Sequence, residues 1–461
     1  MNRFAGSLRR AIFGLAIASL TALAATPGPL QADPGEGNGG GTLPNVLVIM
    51  TDDQRADGTL DVMPATQRWF GEGGTRFPNT YATTPLCCPS RATLFSGRYA
   101  HNHGVTDNAQ AGNLNHAETL QAYLQAVGYR TGIFGKFLNL WNVKVSPPLF
   151  NDWATFKGGY FGKPFNINGT LRRTEGYSTR FIARRAVRFL RKSEQRDSRP
   201  WLMFVTPFAP HVPARAEPAY TDAPVAEWEG NPSVREVDRS DKPSIVQEAE
   251  ASPDSVQRRR ARQLRTLMSV DDLVSTLAAE LRRLGEEDGT LAFFLSDNGL
   301  MWGDHGTTGK SLPYSASIEI PLLVRWPGTF PAGAVDDRLA TTVDIAPTIL
   351  HAAGLPTVPG QVDGRSLLEP WDRDRVLTES WVIPWASLRT RSYQYTEWYN
   401  VDGNLTFREY YDLEADPWQL TNLLGDGVPA NDPPADLLAS LSADLARDRL
   451  CAGVEGPAAC P

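Results

Sequence analysis

The sequence predicts an α/β protein, with a large, mostly parallel sheet sandwiched by helices and a small C-terminal domain carrying an antiparallel sheet. Three observations carry this. The segments 45–50, 201–205 and 291–295 are continuous apolar runs, as strands covered on both faces require. Each ends abruptly in polar residues, Thr51-Asp52-Asp53-Gln54, Thr206-Pro-Phe-Ala-Pro-His211 and Ser296-Asp297-Asn298-Gly299, and helical segments separate them. Past Gly360 the pattern changes to short alternating runs, the mark of antiparallel strands with one wet face.

With 461 residues and 41% hydrophobic content, the chain can bury a large core. A net charge of -7 and a pI near 5.5 argue against a nucleic-acid partner. Arg3, Arg9 and Arg10 followed by the apolar stretch 11–25 read as a secretory signal over residues 1–32, too short to span a bilayer. Arg9-Arg10 also leaves a twin-arginine route open. Residues 33–43 read as a Gly-rich linker, residues 44–360 as the main domain and 361–461 as the small one. No later run is long and apolar enough for a membrane span, so a secreted or periplasmic protein is expected. In an exported chain Cys451 and Cys460 form a natural disulfide, whereas the neighbours Cys87 and Cys88 rarely bridge and leave Cys87 free.

The elements follow in order. After the first strand, a helix is expected to open near Cys87. Leu120, Tyr123, Leu124 and Val127 share one face of a helix ended by Gly128. The segment 129–134 is a short strand stopping at Gly135-Lys136. A helix over 180–190 leads to the strand at 201–205. Residues 214–255, rich in Pro, Glu, Asp and Ser, read as a long surface excursion able to wall a site. A helix over 256–284 precedes the strand at 291–295, and 321–326 with a helix at 344–350 closes the main domain. The runs 376–379, 387–398 and 407–413, with a helix near 435–446, make the C-terminal sheet and its cover.

Chemistry concentrates at the strand ends, where open α/β sheets place ligands. Asp52 and Asp53 after one strand, and Asp297 and Asn298 after another, supply hard oxygen ligands suited to calcium or magnesium, not zinc. Taken alone, Asp-Asp after a strand reads as a cap or turn; the second pair, at the equivalent place on another strand, raises it to a metal site. Lys136, His211 and Lys310 add cationic or ionisable groups. The stretch 84–98, TPLCCPSRATLFSGR, brings a reactive residue type, a proline, a hydroxyl and two arginines to the opening of an expected helix, an arrangement suited to an anion.

Within that stretch Cys87, Pro89, Ser90, Arg91, Leu94, Gly97 and Arg98 resemble the signature of the type I sulfatases, members of the alkaline phosphatase superfamily. Further blocks at 46–54, 87–105, 135–136, 209–211, 269–273, 297–310 and 411–417 resemble family blocks in family order. The resemblance implies that Cys87 is oxidised to formylglycine by a formylglycine-generating enzyme. It also implies that Asp52, Asp53, Asp297 and Asn298 hold one divalent metal, calcium ahead of magnesium, with residue 87 completing the shell. Lys136 and Lys310 would bind sulfate, Arg91 would hold the nucleophile's hydroxyl, and His211 would contact the ester oxygen. His305 reads as a substrate-wall or supporting residue. The implied reaction is hydrolysis of a sulfate ester on a sulfated sugar or glycan: attack by the hydrated aldehyde on sulfur, loss of the alcohol with a proton from His211 or Lys310, then expulsion of sulfate.

Two departures stand out. Many sulfatases carry a histidine where Leu138 stands; Leu138 with Asn139 resembles the N-acetylglucosamine-6-sulfatase and endosulfatase branch and leaves the elimination step without an obvious base. Ser315 and Glu319 replace a common Glu and a common Arg or Lys. Trp141, Trp153, Trp228 and Trp302 are open to two readings, core packing or a sugar-stacking cleft. The competing functions are a phosphonate monoester or phosphodiester hydrolase using the same nucleophile, and a catalytically silent binder of sulfated glycans.

Overall fold

In the computed structural model, which describes residues 43–195, 199–355 and 361–461, a ten-stranded sheet runs through the molecule. The leader and nearly all of the linker expected over residues 1–43 lie outside the described residues, as does the boundary at 360. The principal strands are β1 (Asn45–Thr51), β2 (Arg130–Lys136), β3 (Asp152–Phe156), β4 (Trp201–Thr206), β5 (Thr290–Ser296) and β6 (Leu322–Arg325). Their order is β6-β5-β1-β4-β2-β3, with short segments at each edge. The five strands from β5 to β3 are parallel, and β6 runs antiparallel to β5.

β1 shows why its sequence is apolar without alternation. Val46, Val48 and Met50 point into one core and Leu47 and Ile49 into the other, so every position is covered. The first core is closed by α1 (Cys87–Ser96), α2 (Leu120–Ala126) and, later in the chain, α5 (Ile345–Ala352); the second by α3 (Ser178–Glu194) and α4 (Pro253–Leu284). The sheet is therefore sandwiched as expected. Among the described residues, no helix is long and apolar enough to cross a membrane.

The C-terminal sheet comprises β7 (Val376–Ser380), β8 (Trp385–Arg389), β9 (Tyr393–Tyr399) and β10 (Leu405–Asp412), paired antiparallel in that order. The expected single run 387–398 is two strands, because Thr390–Ser392 turns the chain: Thr390 N donates to Tyr393 O at 2.9 Å. Helix α6 (Ala435–Asp448) covers one face through Leu441 and Leu445. The tail is stapled by a Cys451–Cys460 disulfide. The other face, with Val376, Trp385, Trp398 and Tyr411, packs on Met301, Leu312 and Tyr314 of the main sheet's loops.

A buried ion pair ties the two sheets together. Asp344 accepts 2.7 and 2.8 Å hydrogen bonds from Arg373 and also caps the turn preceding α5 through Thr341. Removing one partner of a buried pair strands the other charge at a cost of about 3–5 kcal/mol. Asp344→Ala is expected to lower the unfolding free energy by about that amount in urea titration; a loss below about 1 kcal/mol, the worth of an exposed pair, would contradict this role.

Candidate active site

Register delivers the acidic residues to one place. Thr51 of β1 pairs with Ser296 of β5, so Asp52-Asp53 and Asp297-Asn298 leave adjacent parallel strands side by side. Asp53 adopts a left-handed conformation, φ 66°, which turns the chain out of the sheet. Its N–H donates to Asp297 Oδ1 at 3.0 Å, and Gln54 N donates to Ser296 Oγ at 2.8 Å. The two strand ends are thereby locked together. β2 ends in Lys136, and the loop after β4 brings His211 over the same edge.

Helix α1 enters this edge with Cys87 in its first turn. Pro89 is tolerated because the opening N–H groups of a helix lack intrahelical partners. The helix stops at Gly97, φ 68°, where a side chain would also collide with Val362 Cγ1 at 2.9 Å. All ten of its residues are buried, so its position is fixed by packing on every side. Cys87 Sγ lies 3.3 Å from Asp52 Oδ1, 3.8 Å from Asp53 Oδ1 and 2.6 Å from Lys310 Nζ.

Three cations face the three carboxylates. Lys136 Nζ donates to Asp52 Oδ2 at 2.6 Å, and Lys310 Nζ donates to Asp53 Oδ1. Arg91 is fully buried and reaches furthest. Its Nε donates to Asp297 Oδ2 at 2.8 Å, its Nη1 to the Lys136 carbonyl at 2.8 Å, and its Nη2 lies 3.7 Å from Asp52 Oδ2. Asn298 Nδ2 donates to Asp53 Oδ1 at 2.8 Å. His211 Nε2 stands 3.6 Å from Asp53 Oδ2, with the imidazole a quarter exposed. The expected residues Asp52, Asp53, Cys87, Arg91, Lys136, His211, Asp297, Asn298 and Lys310 thus converge.

His305 is held apart. Its Nδ1 pairs with Glu236 at 2.8 Å and its ring lies 4.3 Å from that of Tyr314; among the described residues no hydrogen bond or ion pair links it to the cluster. His103 bonds Thr93 and His101 bonds Glu379, both structural contacts. Leu138 lies in the hydrophobic core with Phe137, so position 138 offers the site no side chain. Trp302 and Trp228 pack edge to face in and against the second core, and Trp141 and Trp153 pack against the first, which favours the packing reading for all four.

Several supporting residues have no sequence signature. Tyr160 OH donates to the His211 carbonyl at 2.7 Å, and Gln263 Nε2 donates to the Pro210 carbonyl at 2.9 Å, so both hold the His211 loop. His211 Nδ1 donates to Val212 O, which orients the ring with Nε2 toward the cluster. These contacts come from distant segments and leave no local pattern to read.

Electrostatics explains how so much charge is buried. Burial opposes the charge on Asp52, but Lys136, His211 and Arg91 outweigh it and hold the carboxyl at about 2, below the ordinary 3.8. Asp53 is lowered in the same way, with Lys310 and His211 overcoming burial. Burial pushes the Cys87 thiol well above its ordinary range despite both lysines. A buried thiol held protonated is a poor nucleophile.

The donor set fits a hard divalent cation. Ligand atoms of Asp52, Asp53, Cys87 and His211 lie within 4.8 Å of one another, and Asp297 and Asn298 are bonded to the same groups. Carboxylate and amide oxygens are ligands of calcium and magnesium. Arg91, Lys136 and Lys310 balance the three carboxylates, so a bound divalent ion would leave the pocket positive and suited to an anion.

Comparison with known proteins agrees with this geometry. Residues 44–355 match the family model described as Sulfatase, and residues 303–445 the model described as N-sulphoglucosamine sulphohydrolase, C-terminal. The chain is 35% identical to the extracellular sulfatase SULF-1 homolog of Drosophila melanogaster, over 73% of this chain and 32% of that protein. It therefore spans about a third of that relative's length. It is 30% identical to the N-acetylglucosamine-6-sulfatase of Homo sapiens, over 82% of this chain and 81% of that one. The solved structure of BT4656 in complex with its substrate D-glucosamine-2-N,6-O-disulfate shares the fold, with a TM-score of 0.74 and 24% identity over 88% of this chain and 97% of that one. With a family model matched from the first strand to the end of α5, the chain belongs to the sulfatase family.

Proposed function

We propose that this protein hydrolyses sulfate esters on amino-sugar glycans, through a formylglycine made from Cys87 and a calcium ion held by Asp52, Asp53, Asp297, Asn298 and residue 87. The observation that carries the reading is the setting of Cys87. It occupies the first turn of a buried helix, in contact with Asp52, Asp53 and Lys310, yet as a thiol it is too poorly ionised to attack. The formylglycine supplies an oxygen nucleophile and the metal an electrophilic partner for it and for sulfate.

The remaining work belongs to the chain's own residues. Lys310, beside residue 87, and Lys136, across Asp52, aim ammonium groups at the sulfate oxygens, where charge must be stabilised as the ester bond breaks. Lysine suits this as a compact point charge. Arg91 fixes the carboxylates and holds the nucleophile's hydroxyl. His211 lies on the open side with Nε2 turned inward, placed to give a proton to the departing alcohol. The amino-sugar preference is supported by the human relative and by the disulfated glucosamine bound by BT4656. We further propose an exported protein that a formylglycine-generating enzyme matures before it folds.

Mass spectrometry of the peptide spanning residue 87 is expected to show the mass of an aldehyde in place of a thiol in material that releases sulfate; active material carrying only unmodified cysteine would refute the nucleophile. Aryl sulfates should be turned over faster than matched aryl phosphonate esters, and a preference for the phosphonate would favour the competing hydrolase. His211→Ala should lower kcat by about 10²–10⁴-fold for substrates with poor leaving groups and much less for nitrophenyl sulfate, whose alcohol needs no proton. Calcium at about 1,000 times its dissociation constant should stabilise the fold by about 4 kcal/mol, raising the thermal midpoint of the chelator-treated protein. Asp53→Asn should abolish that rise, and an unchanged rise would remove Asp53 from the metal site.

A further inference from the structure

A groove of about 900 Å³ lies between α3 and α4, and none of the cluster residues lines it. α3 runs against the strands. At its start Ser178 N donates to the carbonyl of Tyr160, whose hydroxyl holds the His211 loop; at its end Glu194 accepts a 2.7 Å hydrogen bond from Trp201 Nε1, at the beginning of β4. The groove therefore leads away from the catalytic edge of the sheet toward the opposite edge.

The sequence of α3 sorts by face. Ile182, Ala186, Phe189 and Leu190 enter the second core, and on the other side Arg180, Arg184, Arg188, Arg191 and Lys192 line the groove. At the rise of an α-helix this row is about 18 Å long. The only carboxylate in the lining is Asp272, although the chain as a whole carries a net charge of -7.

A basic helix face is ordinarily a solvated one. Here the facing helix leaves its middle unneutralised. α4 presents Ser269, Leu273 and Thr276, and its Asp272 is taken up by Arg180 and by the Tyr220 hydroxyl, both at 2.6 Å. Arg191 is held by Glu280 at 2.9 Å, and Lys192 stands 3.8 Å from Asp152 with its side chain 58% exposed. Arg184 and Arg188, both exposed, have no carboxylate partner among the described residues. Like charge is crowded there, since burial and the charge of Arg188 lower the pKa of Arg185 against the pull of Asp152.

Two accessible guanidinium groups about one helical turn apart, with Ala183, Val187 and Leu273 between the helices, suit a ligand that carries oxyanions at intervals. The lining has no aromatic side chain on which bases could stack, which disfavours a single nucleic-acid strand. We propose that this groove is a second binding site, which holds a segment of a sulfated glycan chain by its sulfates on Arg184 and Arg188, with Lys192 extending the row, and so tethers a polymeric substrate away from the reacting centre. The choice of a sulfated glycan rests on the sulfatase reading above; the groove itself owes nothing to the catalytic cluster. A tethered chain presents its sulfate esters at a raised local concentration, so the site acts on KM for polymers and leaves the chemical step alone.

The test uses heparin as the probe, titrated into the calcium-loaded, formylglycine-bearing protein at low salt. Arg184→Glu combined with Arg188→Glu is expected to weaken heparin binding by about tenfold or more. It should raise KM for sulfate release from heparin by a similar factor, with nitrophenyl sulfate turnover and the thermal midpoint unchanged. Arg68→Glu combined with Arg76→Glu, at exposed positions outside the groove, makes the same change in net charge and should leave heparin binding nearly intact. Binding that is unaffected by the first pair, weakened equally by the second, or matched by single-stranded DNA of equal length overturns the site. An unchanged KM, or no release from heparin by a wild type that cleaves nitrophenyl sulfate, overturns the tethering role. A wild type that cleaves no sulfate ester yet binds heparin through Arg184 and Arg188 overturns the sulfatase reading and the tethering role, but not the groove.

Discussion

The buried guanidinium of Arg91 is the constraint on which the site depends. It lies on α1, yet bonds Asp297 after β5, approaches Asp52 after β1 and donates to the carbonyl of Lys136 at the end of β2. One planar cation thus sets the spacing of three strand ends relative to the helix that carries Cys87. Arginine can do this where lysine cannot, because its five donors lie in a rigid plane and its charge survives burial. The surrounding helix is buried on every face, so the guanidinium has no freedom to relax.

Such a site is costly to build. Three carboxylates and three cations removed from water stabilise a fold poorly, since desolvation offsets most of their attraction. The stability comes from elsewhere, from the two cores either side of β1 and from the C-terminal sheet packed on the loops around Tyr314. The carboxylates are then held ionised by their neighbours in spite of burial. Separation of the two roles is visible in the sequence: strand interiors are apolar and strand ends carry charge.

That separation also explains what could be read without coordinates. The central strands were legible because burial on both faces leaves unbroken apolar runs, and the site was legible because its residues sit at the ends of those runs. Cys87 and its neighbours were legible through a family pattern, not through chemistry visible in the stretch alone. The strand Asp152–Phe156 was not, because it is short and carries polar residues. The hairpin between β8 and β9 merged into one run, since both strands share the same composition. Tyr160 and Gln263 act on His211 from distant segments, a consequence of packing that no local pattern encodes. Of the two readings open for Trp141, Trp153, Trp228 and Trp302, packing holds, because all four lie in or against the cores.

The central place of β1 has a consequence for the order of events along the chain. Among the described strands it comes first in the chain, yet its two neighbours are β4 and β5, so it stays unflanked on one side until residues 290–296 have emerged. High contact order of this kind slows assembly. Until then α1 has no completed sheet to pack against, and Cys87, 1% exposed in the finished fold, owes its burial to strands that come later in the chain. The same topology that buries Cys87 in the finished fold leaves it uncovered until the later strands of the sheet are in place.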